Sequence, residues 1–258
     1  MTPSARPARR TRGGAISGAG VAPHGAFATV GPADGDGGHP AGAGDPLTAR
    51  VTTQLTAHVD RLAGALPALR AAAPTLARWG TELGQRLVGG ARVLTAGNGG
   101  SAAEAQHLTA ELVGRFDRDR RALSAIALHA DTSTLSALGN DFGFAQVFAR
   151  QVRAHARPGD LVVLFSTSGR SANLIEAANA AADVGATSWA LTGPGPNPLA
   201  RACTDAVCLP GDTASVQECH LAALHMLCRA VEEVVAAASP EPEGDGLRPP
   251  ANRPRVVS

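Results

Sequence analysis

Residues 160–168, DLVVLFSTS, contain an uninterrupted apolar run, 161–165, which leads directly into three hydroxyl side chains. A run of this kind is typical of a strand that is buried on both faces, as in the centre of a parallel sheet. Helical patterns separate it from shorter apolar runs at 92–96, 123–128, 188–193 and 206–210. Strands that alternate with helices predict an α/β fold, a doubly wound parallel sheet with helices on both faces.

A helical pattern precedes the sheet, from Leu47 to about Val88. Its large apolar residues recur at intervals of three and four, which predicts an N-terminal helical segment. Pro67 and Pro74 lie inside this segment and should kink or split it. Further helices are predicted at about 102–113, 132–140, 144–156, 171–185 and 214–237.

Both ends of the chain differ in composition from this middle part. Residues 1–46 are rich in Gly, Pro, Ala and Arg and contain almost no large apolar side chains. Such a segment cannot bury enough surface to offset the entropy of ordering. We therefore predict a disordered extension at 1–46, one folded domain at 47–238 and a disordered tail at 239–258.

The charge and the cysteines limit the classes of partner and compartment. The net charge is +1 and no apolar run approaches the roughly 20 residues of a membrane span, so neither a nucleic acid nor a membrane partner is expected. The four cysteines include no C-x-x-C pair, which predicts buried free thiols and a cytoplasmic protein. No lysine is present, which excludes a lysine Schiff base, a pyridoxal phosphate attachment and a Walker A lysine.

Two loops lie at predicted strand ends and lead into predicted helices: GNGGS at 97–101 and STSGRS at 166–171. The N-terminus of a helix offers unpaired N–H groups and a partial positive charge, and glycines let the backbone approach an anion closely. The hydroxyl-rich loop indicates a phosphate-type ligand more strongly than the glycines do. An ordinary turn with a helix cap is the alternative interpretation.

A second group of polar residues lies on two predicted helices. His107 and Glu111 are four residues apart and share a face, while Gln217 and His225 lie about 80° apart on the last helix. That helix is otherwise apolar, so its polar side chains need partners. The group could form a tetrahedral zinc-like site or an acid/base pair, and a merely exposed polar face is the alternative for His107 and Glu111. We interpret His220 as a residue behind the site or as a core histidine whose hydrogen bonds are satisfied.

A third element, GNDFG at 139–143, reads as a turn that carries Asn140 and Asp141. The carboxylate of Asp141 could accept hydrogen bonds from the hydroxyl groups of a sugar. Simple turn chemistry is the alternative.

In combination, GNGGSAAEAQH, AELVGRF, GNDFG, STSGRSAN and VQECHLAALH resemble the phosphoheptose isomerases, a branch of the sugar isomerase (SIS) domain family. The resemblance covers about 47–237. It implies a flavodoxin-like SIS fold and a homotetramer with active sites between subunits, each of which usually binds one zinc ion. It also implies isomerisation of sedoheptulose 7-phosphate to D-glycero-D-manno-heptose 7-phosphate through an enediolate, the first step of nucleotide-activated heptose biosynthesis.

The same resemblance implies roles for individual residues. Those matching the phosphate cradle are Ser166, Thr167, Ser168 and Ser171. Further substrate contacts are implied for Asn98, Gly99, Gly100, Ser101, Glu111, Asn140, Asp141 and Gln217. The family's metal ligands match His107, Glu111, Gln217 and His225, and its acid/base pair matches Glu111 and His225. Some members carry an Asp three residues before the Gln, where this chain has Ala214, with Asp212 close by.

The chemistry of a ketose–aldose conversion needs one base, one acid and an electrophile for the developing oxyanion. We assign these roles to Glu111, His225 and the metal. The absence of lysine excludes the Schiff-base route proposed for the glucosamine-phosphate branch of the family.

Three alternatives stay open at this point. Non-catalytic SIS proteins bind a replication initiator, but those relatives lack the histidine at position 225 and the last glycine of GNDFG, both of which this chain has. The sequence also fits an isomerase of another phosphosugar. It fits heptose supply for a natural product as well as for an envelope polysaccharide.

Overall fold

The computed structural model describes residues 45–238, so the predicted disorder of 1–44 and of 239–258 lies outside the described residues. Asp45 and Pro46, which we assigned to the extension, instead begin the first helix. The carboxylate of Asp45 accepts hydrogen bonds from the backbone N–H groups of Leu47 and Thr48, and Pro46 occupies the first helical position. Both are standard helix-start chemistry.

Five parallel strands form one sheet in the described residues. They are β1 (Val93–Gly97), β2 (Ala125–Ala127), β3 (Leu161–Ser166), β4 (Thr187–Thr192) and β5 (Asp205–Cys208), in the order β2-β1-β3-β4-β5. This is the flavodoxin-like order, and its direction of winding reverses between β1 and β3. The predicted doubly wound parallel sheet is confirmed.

Eight α-helices surround the sheet in the described part of the chain. They are α1 (Pro46–Ala71), α2 (Ala73–Val88), α3 (Gly100–Val113), α4 (Thr132–Phe142), α5 (Val147–His155), α6 (Ala172–Asp183), α7 (Pro198–Ala202) and α8 (Thr213–Ala238). The predicted N-terminal helical segment is present as α1 and α2. It breaks at Ala72, so that Pro74 falls in the first turn of α2, where its missing N–H costs little. Pro67 lies inside α1 and does not end it, so the split of the segment falls next to Pro74.

The strands are buried on both sides and divide the core in two. Leu161, Val163 and Phe165 of β3 belong to the core under α1, α2, α3 and α8, while Val162 and Leu164 belong to the core under α5 and α6. This alternation is the period of two that a strand imposes. The packing therefore places α3 and α8, the two helices with the predicted polar residues, on the same face of the sheet.

The cysteine prediction holds only in part. All four thiols are free, and Cys219 and Cys228 are buried, but Cys208 is exposed because it ends the edge strand β5. Burial raises the pKa of the Cys203 and Cys228 thiols to about 12. Between residues 45 and 238, no helix has the length and apolar character needed to cross a membrane.

Candidate active site

The two predicted phosphate loops meet where the winding of the sheet reverses. Gly97 at the end of β1 pairs in register with Phe165 of β3, so the loops that follow them are neighbours. A cavity of about 100 Å³ lies between them. Its walls are Asn98, Ser101, Phe165, Ser166, Thr167, Ser168 and Ser171. The structure thus brings six of the predicted substrate-binding residues to one cavity.

Two side chains of the hydroxyl loop, 166–171, accept hydrogen bonds from the loop's own backbone. The Ser166 hydroxyl accepts a hydrogen bond from the N–H of Gly169 at 3.1 Å, and the Ser168 hydroxyl accepts one from the N–H of Arg170 at 3.2 Å. Both hydroxyl hydrogens therefore remain available to donate. Ser171 stands at the N-cap of α6 but its side chain makes no capping bond. The helix-cap interpretation of this loop therefore fails for Ser171.

The glycine loop serves a close approach between helices. Gly99 has φ +56°, a conformation that favours glycine. A Cβ on Gly100 would overlap the side-chain amide of Gln217. The third glycine of GNGGS is therefore what lets α8 bring Gln217 against the loop that lines the cavity.

Asn173, which sequence reasoning missed, links the two loops. Its side-chain amide exchanges two hydrogen bonds with that of Asn98, at 3.0 and 2.9 Å, and it is 3% exposed. The motif STSGRSAN already contained Asn173, but nothing local indicated its partner 75 residues away. This pair fixes the orientation of the Asn98 amide at the cavity.

His107, Glu111 and His225 form a cluster between α3 and α8, which we call the His–Glu–His trio. His107 Nε2 lies 3.0 Å from Glu111 Oε1 and 3.4 Å from His225 Nε2. One donor atom from each side chain lies within 4.8 Å of the others. Two imidazoles and a carboxylate are a donor set that zinc prefers, and two facing imidazole nitrogens need a proton or a cation between them. The trio therefore fits either a metal ion or a proton relay.

His220 lies apart from this trio, in the core. It is fully buried, its ring is edge-on to Phe165 with centroids 6.0 Å apart, and burial lowers its pKa to about 4. The backbone of Thr192 partly opposes this lowering of the pKa, although neither ring nitrogen makes a hydrogen bond of ordinary geometry in the described part of the chain. It is thus a core histidine, one of the two predicted alternatives.

Glu104 is a second carboxylate that the sequence reasoning passed over. It lies one helical turn before His107, and one of its oxygens is buried with no partner among residues 45–238. Burial raises its pKa, and the nearby His107 opposes that effect. The spacing of three between Glu104 and His107 was the available signal.

The predicted turn at Asn140 and Asp141 is wrong. Asp131 caps α4 by accepting from the N–H of Thr134, and the helix continues to Phe142 before Gly143 ends it at φ +79°. Asn140 and Asp141 are exposed, and the Asn140 amide donates to the Asp141 carboxylate at 2.8 Å. Neither residue lines the cavity.

The side chain of Asp212 caps the N-terminus of α8. Its carboxylate accepts from the N–H of Ser215 at 2.9 Å and pairs with Arg61 at 2.8 Å. The Ser215 N–H holds the pKa of Asp212 below its ordinary value. Asp212 therefore caps α8 and is paired with α1.

Comparisons with known proteins agree with this geometry. Residues 66–193 match the model of the SIS domain family. A phosphoheptose isomerase from Streptomyces coelicolor is 56% identical over 179 residues, which cover 69% of this chain and 78% of that protein. One from Bordetella avium is 43% identical over 190 residues, or 72% of this chain and 96% of that protein.

A solved phosphoheptose isomerase from Neisseria gonorrhoeae superposes with a TM-score of 0.65 at 38% identity, covering 71% of this chain and 99% of that one. The sheet order, the two loops and the domain match define a SIS-domain protein. Within that class, the chain belongs to the phosphoheptose isomerase family.

Proposed function

We propose that the protein is an isomerase that converts sedoheptulose 7-phosphate to D-glycero-D-manno-heptose 7-phosphate. The observation that carries this proposal is the continuity of α3 between the two parts of the site. Ser101, in its first turn, lines the hydroxyl-rich cavity, and His107 lies six residues on, about 9 Å along the helix axis. A sugar phosphate held by its phosphate in the cavity extends along α3 toward the trio. Side chains on a helix lean toward its N-terminus, which brings Glu111 nearer to the cavity than its backbone is.

The trio supplies the proton chemistry of the ketose–aldose conversion. Glu111 removes the proton from the carbon next to the carbonyl, and His225 exchanges a proton with the neighbouring oxygen as the enediolate forms and collapses. The 3.0 Å contact between His107 and Glu111 holds the carboxylate in one orientation. Half-burial of the three side chains limits the access of water while leaving a path for the substrate.

We propose zinc, one ion per subunit, as the metal of this site, with His107, Glu111, Gln217 and His225 as its ligands. An atom that ligates zinc cannot also carry a proton, so the acid/base and ligand roles of Glu111 and His225 are alternatives, which the EDTA-treated control below distinguishes. Zinc bound by these residues would supply an electrophile for the substrate oxygen. The Gln217 amide lies against Gly100, in the first turn of α3, and its role as the fourth ligand is implied by the resemblance alone.

A homotetramer with active sites between subunits completes the proposal. The outer face of α1 exposes Leu47, Val51, Leu55, Val59 and Leu66 at 40–64%. A continuous apolar face of this kind marks an interaction surface. Phe142 and Phe144, at 47% and 60% exposure, form a second one beside Asn140 and Asp141. Burial of the second surface against another subunit would bring Asn140 and Asp141 to a neighbouring cavity. Introduction of charge on the first surface, Leu55→Glu with Val59→Glu, should reduce the assembly measured by light scattering.

The test of the function is a direct conversion assay. Zinc-loaded protein is incubated with sedoheptulose 7-phosphate and the product is followed by NMR, with an EDTA-treated sample as the control. A manno-heptose 7-phosphate in the first sample and its loss in the second would support both the reaction and the metal. Absence of conversion by folded protein would contradict the proposed substrate.

We also propose a cytoplasmic location, with which the four free thiols agree.

A further inference from the structure

The His–Glu–His trio depends on the relative placement of two helices. His107 and Glu111 lie on α3 and His225 lies on α8, 118 residues after His107. A misplacement of about 1 Å in a catalytic group can lower a rate by about 100-fold. Some feature of the structure must therefore fix α3 against α8 close to the trio.

A buried carboxylate on α8 provides one half of such a feature. Glu232 lies seven residues after His225 and is 4% exposed. Its Oε1 accepts hydrogen bonds from three consecutive backbone N–H groups, those of Phe116, Asp117 and Arg118, at 3.2, 3.0 and 3.2 Å. Hydrogen bonds to a charged acceptor are stronger than neutral ones, so the loop after α3 is tied firmly to α8.

A buried guanidinium on that loop provides the other half. Arg120 donates to the backbone carbonyls of Glu111 at 2.6 Å and of Leu112 at 3.0 Å, in the last turn of α3. Carbonyls at the end of a helix lack internal partners and carry partial negative charge, so a buried cation stabilises them. Arg120 Nε lies 3.9 Å from Glu232 Oε1, which balances the two buried charges.

The same loop touches the trio directly. The ring of Phe116 stacks on the imidazole of His225, with centroids 5.4 Å apart and 30° between the planes. Arg229 of α8 pairs with Asp117 at 3.0 Å and lies over the Phe116 ring at 5.5 Å. Glu232 therefore holds Phe116 by its N–H, and Phe116 limits the tilt of His225.

We infer that Glu232 and Arg120 are positioning residues that set the distance between Glu111 and His225. Arg120 acts through the carbonyl of Glu111, and Glu232 acts through Phe116. The inference rests on the proposed function, because the changes in turnover and metal binding are measured at the His–Glu–His trio. It extends that function to a buried ion pair on the far side of the trio from the cavity loops.

The test compares Glu232→Gln, which keeps the shape and removes the charge, with Arg120→Lys, which keeps the charge and loses the planar fork. Glu233→Gln is the matched control, because Glu233 is the next residue, is 63% exposed in its side chain and pairs with Arg118 at 2.7 Å. Each protein is checked by thermal unfolding. Then kcat and KM for sedoheptulose 7-phosphate, the affinity and visible spectrum of bound Co²⁺, and the affinity for inorganic phosphate are measured.

We expect Glu232→Gln and Arg120→Lys each to lower kcat by about tenfold or more and the Co²⁺ affinity by about 10–100-fold, the usual effect of changing a residue behind a metal site. The cobalt spectrum should change, while KM and the affinity for phosphate stay near those of the unmodified protein. The Glu233→Gln control should change none of these. If Glu232→Gln does not fold, Arg120→Lys decides by the same measurements.

Three results would overturn the inference. The first is an unchanged kcat and cobalt spectrum in both Glu232→Gln and Arg120→Lys. The second is an equal loss of kcat and Co²⁺ affinity in the Glu233→Gln control, and the third is a parallel loss of phosphate affinity, which would indicate a general loss of structure. Failure of the proposed function looks different, because the unmodified protein would then not convert sedoheptulose 7-phosphate. In that case the cobalt spectra of the variants still decide the inference. An unmodified protein that neither turns over nor binds cobalt would overturn both.

Discussion

The hydroxyl loop and the His–Glu–His trio are built in opposite ways. The loop takes its polar groups from six consecutive residues, 166–171, which need only the end of β3 and the start of α6 to be in place. The trio takes its three side chains from two helices whose contributions lie 118 residues apart in sequence. The first is a local structure and the second exists only in the packed fold. We therefore expect the loop to govern binding and the trio, which needs tighter geometry, to govern turnover.

The strongest test of this division changes the trio. Glu111→Gln and His225→Gln should each lower kcat by about 10²–10⁴-fold, the usual contribution of a general acid or base. Steady-state kinetics and circular dichroism would check that activity is lost while the fold is kept. His58→Gln is the control, because His58 pairs with Glu218 at 2.8 Å outside the trio. Near-normal turnover in either trio variant would remove the role assigned to that residue.

A second prediction concerns His220, which packs beneath the strand that carries the hydroxyl loop. The pKa of His220 is about 4 in the folded state and has its ordinary value of 6.5 in the unfolded state. Between these two values the unfolded state binds a proton at His220 and the folded state does not. The free energy of unfolding should therefore be unaffected by His220 above about pH 6.5. As the pH drops toward 4, protonation of His220 in the unfolded state should lower it by about 3 kcal/mol. His220→Leu should remove that part of the pH dependence, because leucine has no group to protonate.

Urea unfolding at pH 7 and at pH 4.5 would measure this difference between the two proteins. Equal losses of stability on acidification in the original protein and in His220→Leu would show that His220 does not titrate as described. Kinetics at pH 7 would keep the test separate from the trio, since His220 is neutral there.

A third prediction changes the loop. Thr167→Val keeps the shape of a residue that lines the cavity and removes its hydroxyl. Loss of one hydrogen bond to a charged ligand costs about 1.5–3 kcal/mol, so KM should rise by about 10–100-fold with kcat largely kept. Thr187→Val, at the amino end of β4, removes a hydroxyl that accepts from Arg86 and should leave KM unchanged. A fall in kcat with an unchanged KM would contradict the division between the two regions.

The smallest expected effect is that of Arg170→Ala. Arg170 belongs to the loop, but its side chain is exposed and does not line the cavity. An exposed charge contributes about 1 kcal/mol or less, so KM should rise by less than about fivefold, and less at high salt. A larger rise than that of Thr167→Val would show that charge, more than hydroxyl donors, holds the phosphate.

What could be predicted from the sequence follows the same division. The sheet, the two loops and the face shared by His107 and Glu111 were predicted, because a strand, a turn and a helical period are local patterns. The contact between His107 and His225 was indicated only by the need of polar groups on an apolar helix for partners.

The features that were missed depend on packing between distant segments. No local sequence pattern links Asn98 to Asn173, which pair through their side-chain amides. The same is true of the buried ion pair between Arg120 and Glu232. The turn predicted at Asn140 failed because a capped helix can run through polar residues until a glycine of positive φ ends it. The core position of His220 was among the predicted alternatives, but its edge-on contact with Phe165 of β3 depends on the packing of α8 against the sheet, for which no local pattern exists.

The most direct test of the account is a single calorimetric comparison with sedoheptulose 7-phosphate. Glu111→Gln and the double variant Glu111→Gln with Thr167→Val should both be inactive, so the heat reports binding alone. The account predicts that the single variant still binds the sugar phosphate and that the double variant binds it about 10–100-fold more weakly. Equal affinities in the two variants would contradict the assignment of binding to the hydroxyl loop, and turnover by Glu111→Gln would contradict the assignment of turnover to the trio.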